Sequence, residues 1–517
     1  MTMHRSLRHR LRAPASALAL LLLTTGCGDD GTTSVTEGGT GSESEGGEAS
    51  TDPAASVGSD ASATDGGGTD GGSDSGTSDA STSGTSSSTS DASTSSSSDT
   101  STTETTETTE TSETGVDEGF MLGVDVTDIS PTDQQLGPMF YMGAYGAPFT
   151  RGPAQGVPAP IYVRSLAIEA NGQGIILAIL DLPGMGNQIT RALRQQVADA
   201  TGLSEDQVLV GATHTHSGPD LMGLWGGVPD SYRDALIEMT AESMTAAWDS
   251  RAKGTLEVGT AEVDRNKNRR GHPDKDEDIT VLDAYDEDDN RLATMVTYAA
   301  HPVILGESNK EISRDFCGYT VDALEAELGA PVLFFNGVLG DATPKSPDGQ
   351  YEDDFEKAQA YGEVLAESAL LALEQTEDVE PEVVFLADEW EQKVDNLLFQ
   401  AAANLGLALY DFEMQGLFDN YVTTQATYFR LGTQVQGVGF PGESVTYNGL
   451  SIKDAMKAPH RLLLGNTGDA LGYFIPSDEW QMGYNDNYEE SVSLGPDAGD
   501  KARDVINALI LADNQKF

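Results

Sequence analysis

Val208-Leu209-Val210-Gly211-Ala212-Thr213-His214-Thr215-His216-Ser217-Gly218-Pro219 carries two signals in one stretch. Val208–Ala212 is a short unbroken apolar run, the pattern of a strand covered on both faces. The run ends in a His-x-His pair. At a strand end, residues two apart project to the same side, as a metal site or a general acid requires. Other runs of the same kind lie on either side: strands are predicted at Ser165–Glu169, Ile175–Leu180, Val281–Ala284, Thr294–Ala299 and Val332–Phe335. Helical periodicity is read at Ile189–Ala200, Ser231–Trp248, Thr320–Leu328, Asp354–Glu374 and Lys501–Leu511. Strands alternating with helices predict an α/β core with a mixed or parallel sheet, and ligands in such sheets bind at the loops after the strands. The last third, around Glu382–Gln392 and Thr424–Gln436, reads as more antiparallel.

The rest of the chain bounds what this core can do. It has 517 residues, 29 Lys+Arg and 84 Asp+Glu, for a formal net charge of −55. Residues 28–118 hold 20 acidic residues and no Lys or Arg among Ser, Thr and Gly, too few apolar side chains to offset the entropy of ordering, so they are expected to be a disordered linker. Residues 119–517 keep 25 basic against 64 acidic residues, a field that repels phosphate backbones and anionic lipid and excludes nucleic acid as a partner. At the N-terminus, Arg5, Arg8, Arg10 and Arg12 precede the apolar run Ala13–Leu23 and then Thr24-Thr25-Gly26-Cys27. That is an export signal over residues 1–27 with a lipobox cysteine, so Cys27 is expected to carry lipid and anchor an exported lipoprotein facing the periplasm or the cell surface. If the lipobox is not used, the protein is secreted. The only other cysteine, Cys317, then has no partner for an intramolecular disulfide and reads as a buried packing thiol.

Beyond the signal segment the chain has five histidines: His214, His216, His272, His301 and His460. His301 repeats the strand-end pattern, in Ala300-His301-Pro302 after the run Met295–Ala299. A third run, Val332–Phe335, opens into Asn336-Gly337-Val338-Leu339-Gly340-Asp341-Ala342-Thr343-Pro344, with glycines that admit close backbone approach and a carboxylate and a hydroxyl in Asp341 and Thr343. Gly439-Phe440-Pro441-Gly442-Glu443-Ser444 places a further carboxylate in a tight turn. Two imidazoles, a carboxylate and one more oxygen form the donor set of a zinc hydrolase that leaves room for water. His272 and His460 lack companion donors nearby and read as structural or surface residues. The acidic runs Asp274–Asp278 and Asp286–Asn290 lack the EF-hand pattern and read as solvated turns.

These residues also carry a resemblance. His214-Thr215-His216-Ser217-Gly218-Pro219 resembles the H-T-H-S-G-P motif of neutral ceramidases, zinc amidases that cleave the N-acyl bond of ceramide. In the same order follow stretches similar to other blocks of that family. They are Gly123–Ile129, the His301 loop with Ile312–Phe316 and Gly318-Tyr319, Asn336–Pro344, Phe440–Glu443, and Leu471–Pro476 with Tyr488-Glu489. The resemblance implies a mixed-sheet α/β catalytic domain over residues 119–517, with His214, His301, Glu443 and Tyr473 binding zinc. It implies His216 beside the metal as general acid or oxyanion donor, Tyr488 on the substrate carbonyl, and an arginine, Arg269, from Asn268-Arg269-Arg270. Thr343 stands where the family has serine. The chain stops soon after the Tyr488 segment, so the family's C-terminal immunoglobulin-like domain is expected to be absent.

The leading expectation is a lipid-anchored zinc amidase acting on ceramide or a similar amphipathic lipid amide. Alternatives are a zinc hydrolase of a non-sphingolipid amide or ester, and a surface binding protein of the same fold that has lost turnover.

Overall fold

The computed structural model describes residues 119–517 apart from 147, 407, 417–418 and 482–487. The export signal with Cys27 and the acidic stretch 28–118 lie outside the described residues.

In chain order the first part forms β1 (Phe120–Asp128), β2 (Tyr162–Ala170), β3 (Gln173–Leu180), α1 (Asn187–Thr201), β4 (Val208–Ala212), α2 (Asp230–Asp249) and β5 (Ala252–Glu262). β6 (Asn266–Asn268), β7 (Asp278–Asp286), β8 (Arg291–Tyr298), α3 (Asp315–Leu328), β9 (Val332–Asn336), β10 (Ala342–Pro344), α4 (Asp354–Leu373) and β11 (Glu377–Asp378) follow. One sheet runs β4-β3-β2-β1-β5-β7-β8-β9, with β11 added on β5. Only β3/β4 and β8/β9 pair in parallel, so the sheet is mixed, as the sequence predicts, and mostly antiparallel.

The later part forms a second sheet. β12 (Val383–Val394), α5 (Leu397–Leu405), β13 (Phe412–Gly416), β14 (Asp419–Leu431), β15 (Val435–Gly439), β16 (Glu443–Ser444), α6 (Thr446–Ala455), β17 (His460–Leu464), β18 (Tyr473–Phe474), α7 (Tyr488–Ser491) and α8 (Ala498–Asp513) complete the chain. The sheet runs β12-β14-β15-β17, antiparallel except for β15/β17.

Side-chain alternation explains the layering. Along β3, Leu177 and Ile179 turn toward the second sheet, where Phe429, Leu431, Leu462 and Leu464 meet them. Ile176, Ala178 and Leu180 turn the other way, onto Ile189 and Leu193 of α1 and Leu236 and Met244 of α2. Further along the same sheet face, α3 and α4 cover Val281, Val296 and Phe334. On the outer face of the second sheet, α6 and α8 supply Ile452, Ala502, Ile506 and Ile510. The result is four layers, helix, sheet, sheet, helix. A strand buried on both faces must be apolar throughout, which is why these strands read as continuous runs. Cys317 is buried in the α3 layer with no sulfur partner among the described residues.

The large sheet curls until its outer strands come close. A Cβ added at Gly211 in β4 would lie 3.4 Å from the Phe335 ring of β9, and the Asn336 side chain donates to the Thr213 carbonyl at 3.1 Å. The segment after β17 runs between these edges. Thr467 bridges to Gly211, Gly468 N donates to the Val210 carbonyl at 2.9 Å, and Gly465 N to the Asn336 carbonyl at 2.9 Å. Loops from opposite sheet edges therefore open into one place. The acidic run Asp274–Asp278 corrects the sequence reading. Asp276 is buried, and Lys453 from α6 is clamped between it (2.7 Å) and Asp278 (2.8 Å), so this run tethers layers rather than lying in solvent.

Candidate metal centre

His214 and His216 leave the end of β4, and the backbone has to turn sharply to aim both inward. His214 takes φ +67°, in the left-handed region that ordinary residues avoid at a cost of about 1–3 kcal/mol. His301 leaves the end of β8. Asn336, at the end of β9 and fully buried, ties the two histidine loops together. Its Nδ2 donates to the carbonyls of Thr213 (3.1 Å) and Ala300 (2.8 Å), and its Oδ1 accepts from Ala300 N (3.1 Å). Glu443 and Tyr473 stand opposite each other on paired β16 and β18. Asp341 fixes the β9 loop to α6 by accepting from Thr446 N at 2.7 Å.

The side chains converge on one point. His214 Nε2 lies 3.2 Å from His301 Nε2 and 3.2 Å from His216 Nε2. Glu443 Oε2 is 3.5 Å from His214 Nε2 and 3.3 Å from His301 Nε2. Tyr473 OH is 3.3 Å from His301 Nε2. The three imidazoles form the compact buried histidine group of the described residues.

The far nitrogens fix the tautomers. Nδ1 of His214 lies 2.5 Å from the Pro183 carbonyl and Nδ1 of His301 lies 2.8 Å from the Leu339 carbonyl. A carbonyl can only accept, so both Nδ1 atoms carry hydrogen, and each imidazole in its neutral form points a bare Nε2 lone pair at the centre. Two lone pairs and a carboxylate oxygen at hydrogen-bond distance repel one another unless a cation lies among them. Burial alone would push the Glu443 carboxyl up, but the neighbouring imidazoles outweigh it and hold it well below the usual carboxylate range. Burial, reinforced by His214 and His301, holds His216 well down, and His301 is lowered for related reasons. For His214 burial also pulls downward, but Glu443 and the Pro183 carbonyl together outweigh it and raise it. The donor set of imidazole nitrogens, one carboxylate and one phenolic oxygen fits a borderline cation of the zinc type.

Around this point lies about 450 Å³ of atom-free space, part of it open to solvent. Its walls include Met222, Leu224, Trp225, Phe399, Tyr473 and Tyr488, a mostly apolar lining around a polar floor. Tyr488 stands edge-on to Tyr473, with ring centroids 5.9 Å apart. Arg269 extends over the Tyr488 ring (5.3 Å), reaches Tyr473 OH at 3.4 Å and pairs with the buried Glu489 at 2.7 Å. Thr343 is placed differently. It is half-buried on β10, its hydroxyl donates to the Lys267 carbonyl at 3.2 Å, and it does not line the cavity. His460 bonds Thr260 and Glu377, and His272 pairs with Glu479, so both are tied up structurally away from the cluster.

Sequence reasoning missed several supports. Asp220, fully buried, accepts from the backbone N–H groups of Met222, Gly223, Trp225 and Gly227 at 2.7–3.1 Å and thereby folds the loop that forms one cavity wall. Arg151, also buried, donates to the carbonyls of His216 (2.6 Å) and Gly143 (3.1 Å). Asn466 lines the cavity floor. Each is a polar residue in an irregular loop, where no periodicity marks burial.

No known family's sequence profile matches the chain. Among solved structures it is similar to neutral ceramidase from Pseudomonas aeruginosa, with a TM-score of 0.65 at 18% identity over 78% of this chain and 75% of that one. It is similar also to a ceramidase complexed with C2, with a TM-score of 0.65 at 17% identity over 78% and 76% of the two chains. At these identities the likeness is one of fold.

Proposed function

We propose that the protein is a zinc-dependent hydrolase that cleaves the N-acyl amide bond of ceramide or a similar amphipathic lipid amide. The observation that carries the reading is the meeting of the His214 and His301 lone pairs with Glu443 and Tyr473, both Nδ1 hydrogens being held by carbonyls. His214, His301, Glu443 and Tyr473 would hold the ion, with His216 beside it. Bound zinc supplies Lewis acidity, polarising an acyl carbonyl and lowering the pKa of water towards ~7.

The residues of the chain supply the rest. Arg269, kept in place by Glu489, sets positive charge beside the Tyr473 oxygen, countering the burial that pushes this phenol up. Tyr488, at the cavity wall, would donate to the acyl carbonyl as it becomes anionic. His216, neutral and with its backbone carbonyl held by Arg151, would take a proton from the attacking water and hand it on to the departing nitrogen. Overall, water adds its oxygen to the acyl carbon, the C–N bond breaks, and the nitrogen leaves as a free amine with a fatty acid as the other product. The apolar walls suit an acyl chain. Thr343, bonded to Lys267, takes no part.

The export and anchoring of the chain through lipid on Cys27 belong to the same proposal, and an acidic tether would hold the domain away from the bilayer. Among the described residues no helix is long and apolar enough to cross a membrane.

The test sets purified protein against N-acylsphingosine, a simple fatty-acid amide and a fatty-acid ester of matched chain length. Release of fatty acid from N-acylsphingosine above the other two supports the reading. Cleavage of the ester alone would move the protein to the runner-up class of zinc esterase.

A further inference from the structure

Asn466 occupies the seam between the two edges of the large sheet, and its backbone is held from three sides. Its N–H donates to the Gly442 carbonyl at 2.9 Å, next to Glu443, and its carbonyl accepts from Ala212 N at 3.1 Å, two residues before His214. The preceding residue, Gly465, donates to the Asn336 carbonyl, and a Cβ there would meet Leu339 at 2.3 Å. The residue itself sits at φ +48°, which asparagine tolerates better than most. The position is thus set by the same loops that carry the proposed metal ligands.

The side chain is 3% exposed and lines the cavity, yet neither its Nδ2 nor its Oδ1 has a hydrogen-bond partner. Whichever way the amide is turned, one donor and one acceptor are left unmatched beside the cluster. A buried carboxamide with both ends unmatched is costly unless something that enters the cavity satisfies it. An ester or a fatty acid anion brings acceptors only. A secondary amide brings an N–H as well.

We propose that Asn466 is a substrate-binding residue that selects amides over esters, its Oδ1 accepting the substrate N–H. The inference rests on the hydrolase reading for its substrate class, but binding alone can judge it. Sites built around a particular donor discriminate strongly against analogues that lack it, because their own buried group is then left unpaired.

The experiment measures affinity for a fluorescent fatty-acid amide and the matching ester on metal-free protein, where nothing is turned over. The wild-type protein is expected to prefer the amide by about tenfold or more. Asn466→Gly, which keeps the left-handed backbone, should bind both equally. Asn466→Asp, which keeps an acceptor at the same spot, should retain the preference. Circular dichroism and zinc uptake of both variants report whether the floor of the site is intact. Equal affinities in the wild-type protein, binding of neither compound, or a preference that survives in Asn466→Gly would overturn the proposal. Turnover by the zinc-loaded protein is measured separately. Its absence with the preference intact would remove the hydrolase reading and leave Asn466 in its role.

Discussion

His214 carries the heaviest demands in the molecule. It must hold a lone pair toward the centre, donate to the Pro183 carbonyl and keep φ at +67°. Replacing it separates these demands. His214→Ala should lose bound zinc and activity together, while His214→Gly loses them equally but is more stable than the alanine variant by about 1 kcal/mol, since glycine adopts positive φ without strain. Chemical denaturation of the two metal-free variants checks the difference. Asp315 gives the pH dependence. Burial, against the N–H groups of Leu305 and Phe316, pushes its carboxyl up to about 6. The folded chain thus holds this proton more tightly than the unfolded one. The stability from this group is full below pH ~4 and is lost as pH rises through about 6, a loss of about 3 kcal/mol. Denaturation midpoints at pH 4 to 7 should fall with this slope in the wild-type protein and less steeply in Asp315→Asn. At this scale the sequence was legible wherever a residue type is rare and its setting repeats. Five histidines, three of them just after apolar runs, pointed to the cluster. Asp220, Arg151 and Asn466 were not legible, because a buried aspartate in a loop looks like a surface one until the chain folds over it.

Loops at strand ends, rather than strands themselves, set the geometry of the site. Asn336 at the end of β9 clasps the loops after β4 and β8, and Asn336→Leu strands two carbonyls and an N–H in the interior. The expected cost is about 1–3 kcal/mol for each group left unpaired, with zinc affinity reduced by roughly 10–100-fold. Competition with a zinc indicator measures the latter. The Asp220 loop makes a contrasting case. Asp220→Ala unfolds a wall of the cavity without touching the cluster, so zinc should stay bound while KM rises. Zinc loss in that variant would show that the wall and the floor are one unit. The strands of these elements were readable as apolar runs because sheets covered on both faces leave no polar alternation. β5 escaped detection, since Ala252–Glu262 mixes Lys, Thr and Glu with its apolar residues. The curl that brings β4 near β9 has no local signature at all. It follows from twist accumulated across eight strands and from the Gly465–Gly468 segment lodged in the gap.

For the whole molecule, charge and architecture act together. Residues 119–517 hold 64 acidic against 25 basic residues, so the domain should approach a neutral lipid surface more readily than an anionic one. Hydrolysis of substrate in anionic vesicles is expected to rise with ionic strength as screening shortens the repulsion, and turnover in neutral vesicles to stay nearly flat. The four-layer fold leaves the cavity at the mouth formed by the curled sheet and the separate two-stranded β16/β18 pair. Its floor is polar and its walls apolar, so on the proposed reading the bond to be cleaved would lie at the cluster and a hydrocarbon chain along Leu224, Trp225 and Phe399. The central claim is that a metal held by His214, His301, Glu443 and Tyr473 is needed for amide cleavage. The most direct measurement is the hydrolysis of N-acylsphingosine while zinc is withdrawn by a chelator and then restored, with metal content determined at each step. The account predicts one zinc per chain, loss of turnover in proportion to zinc removed, and recovery on its return. Undiminished hydrolysis by protein shown to contain no metal would contradict it.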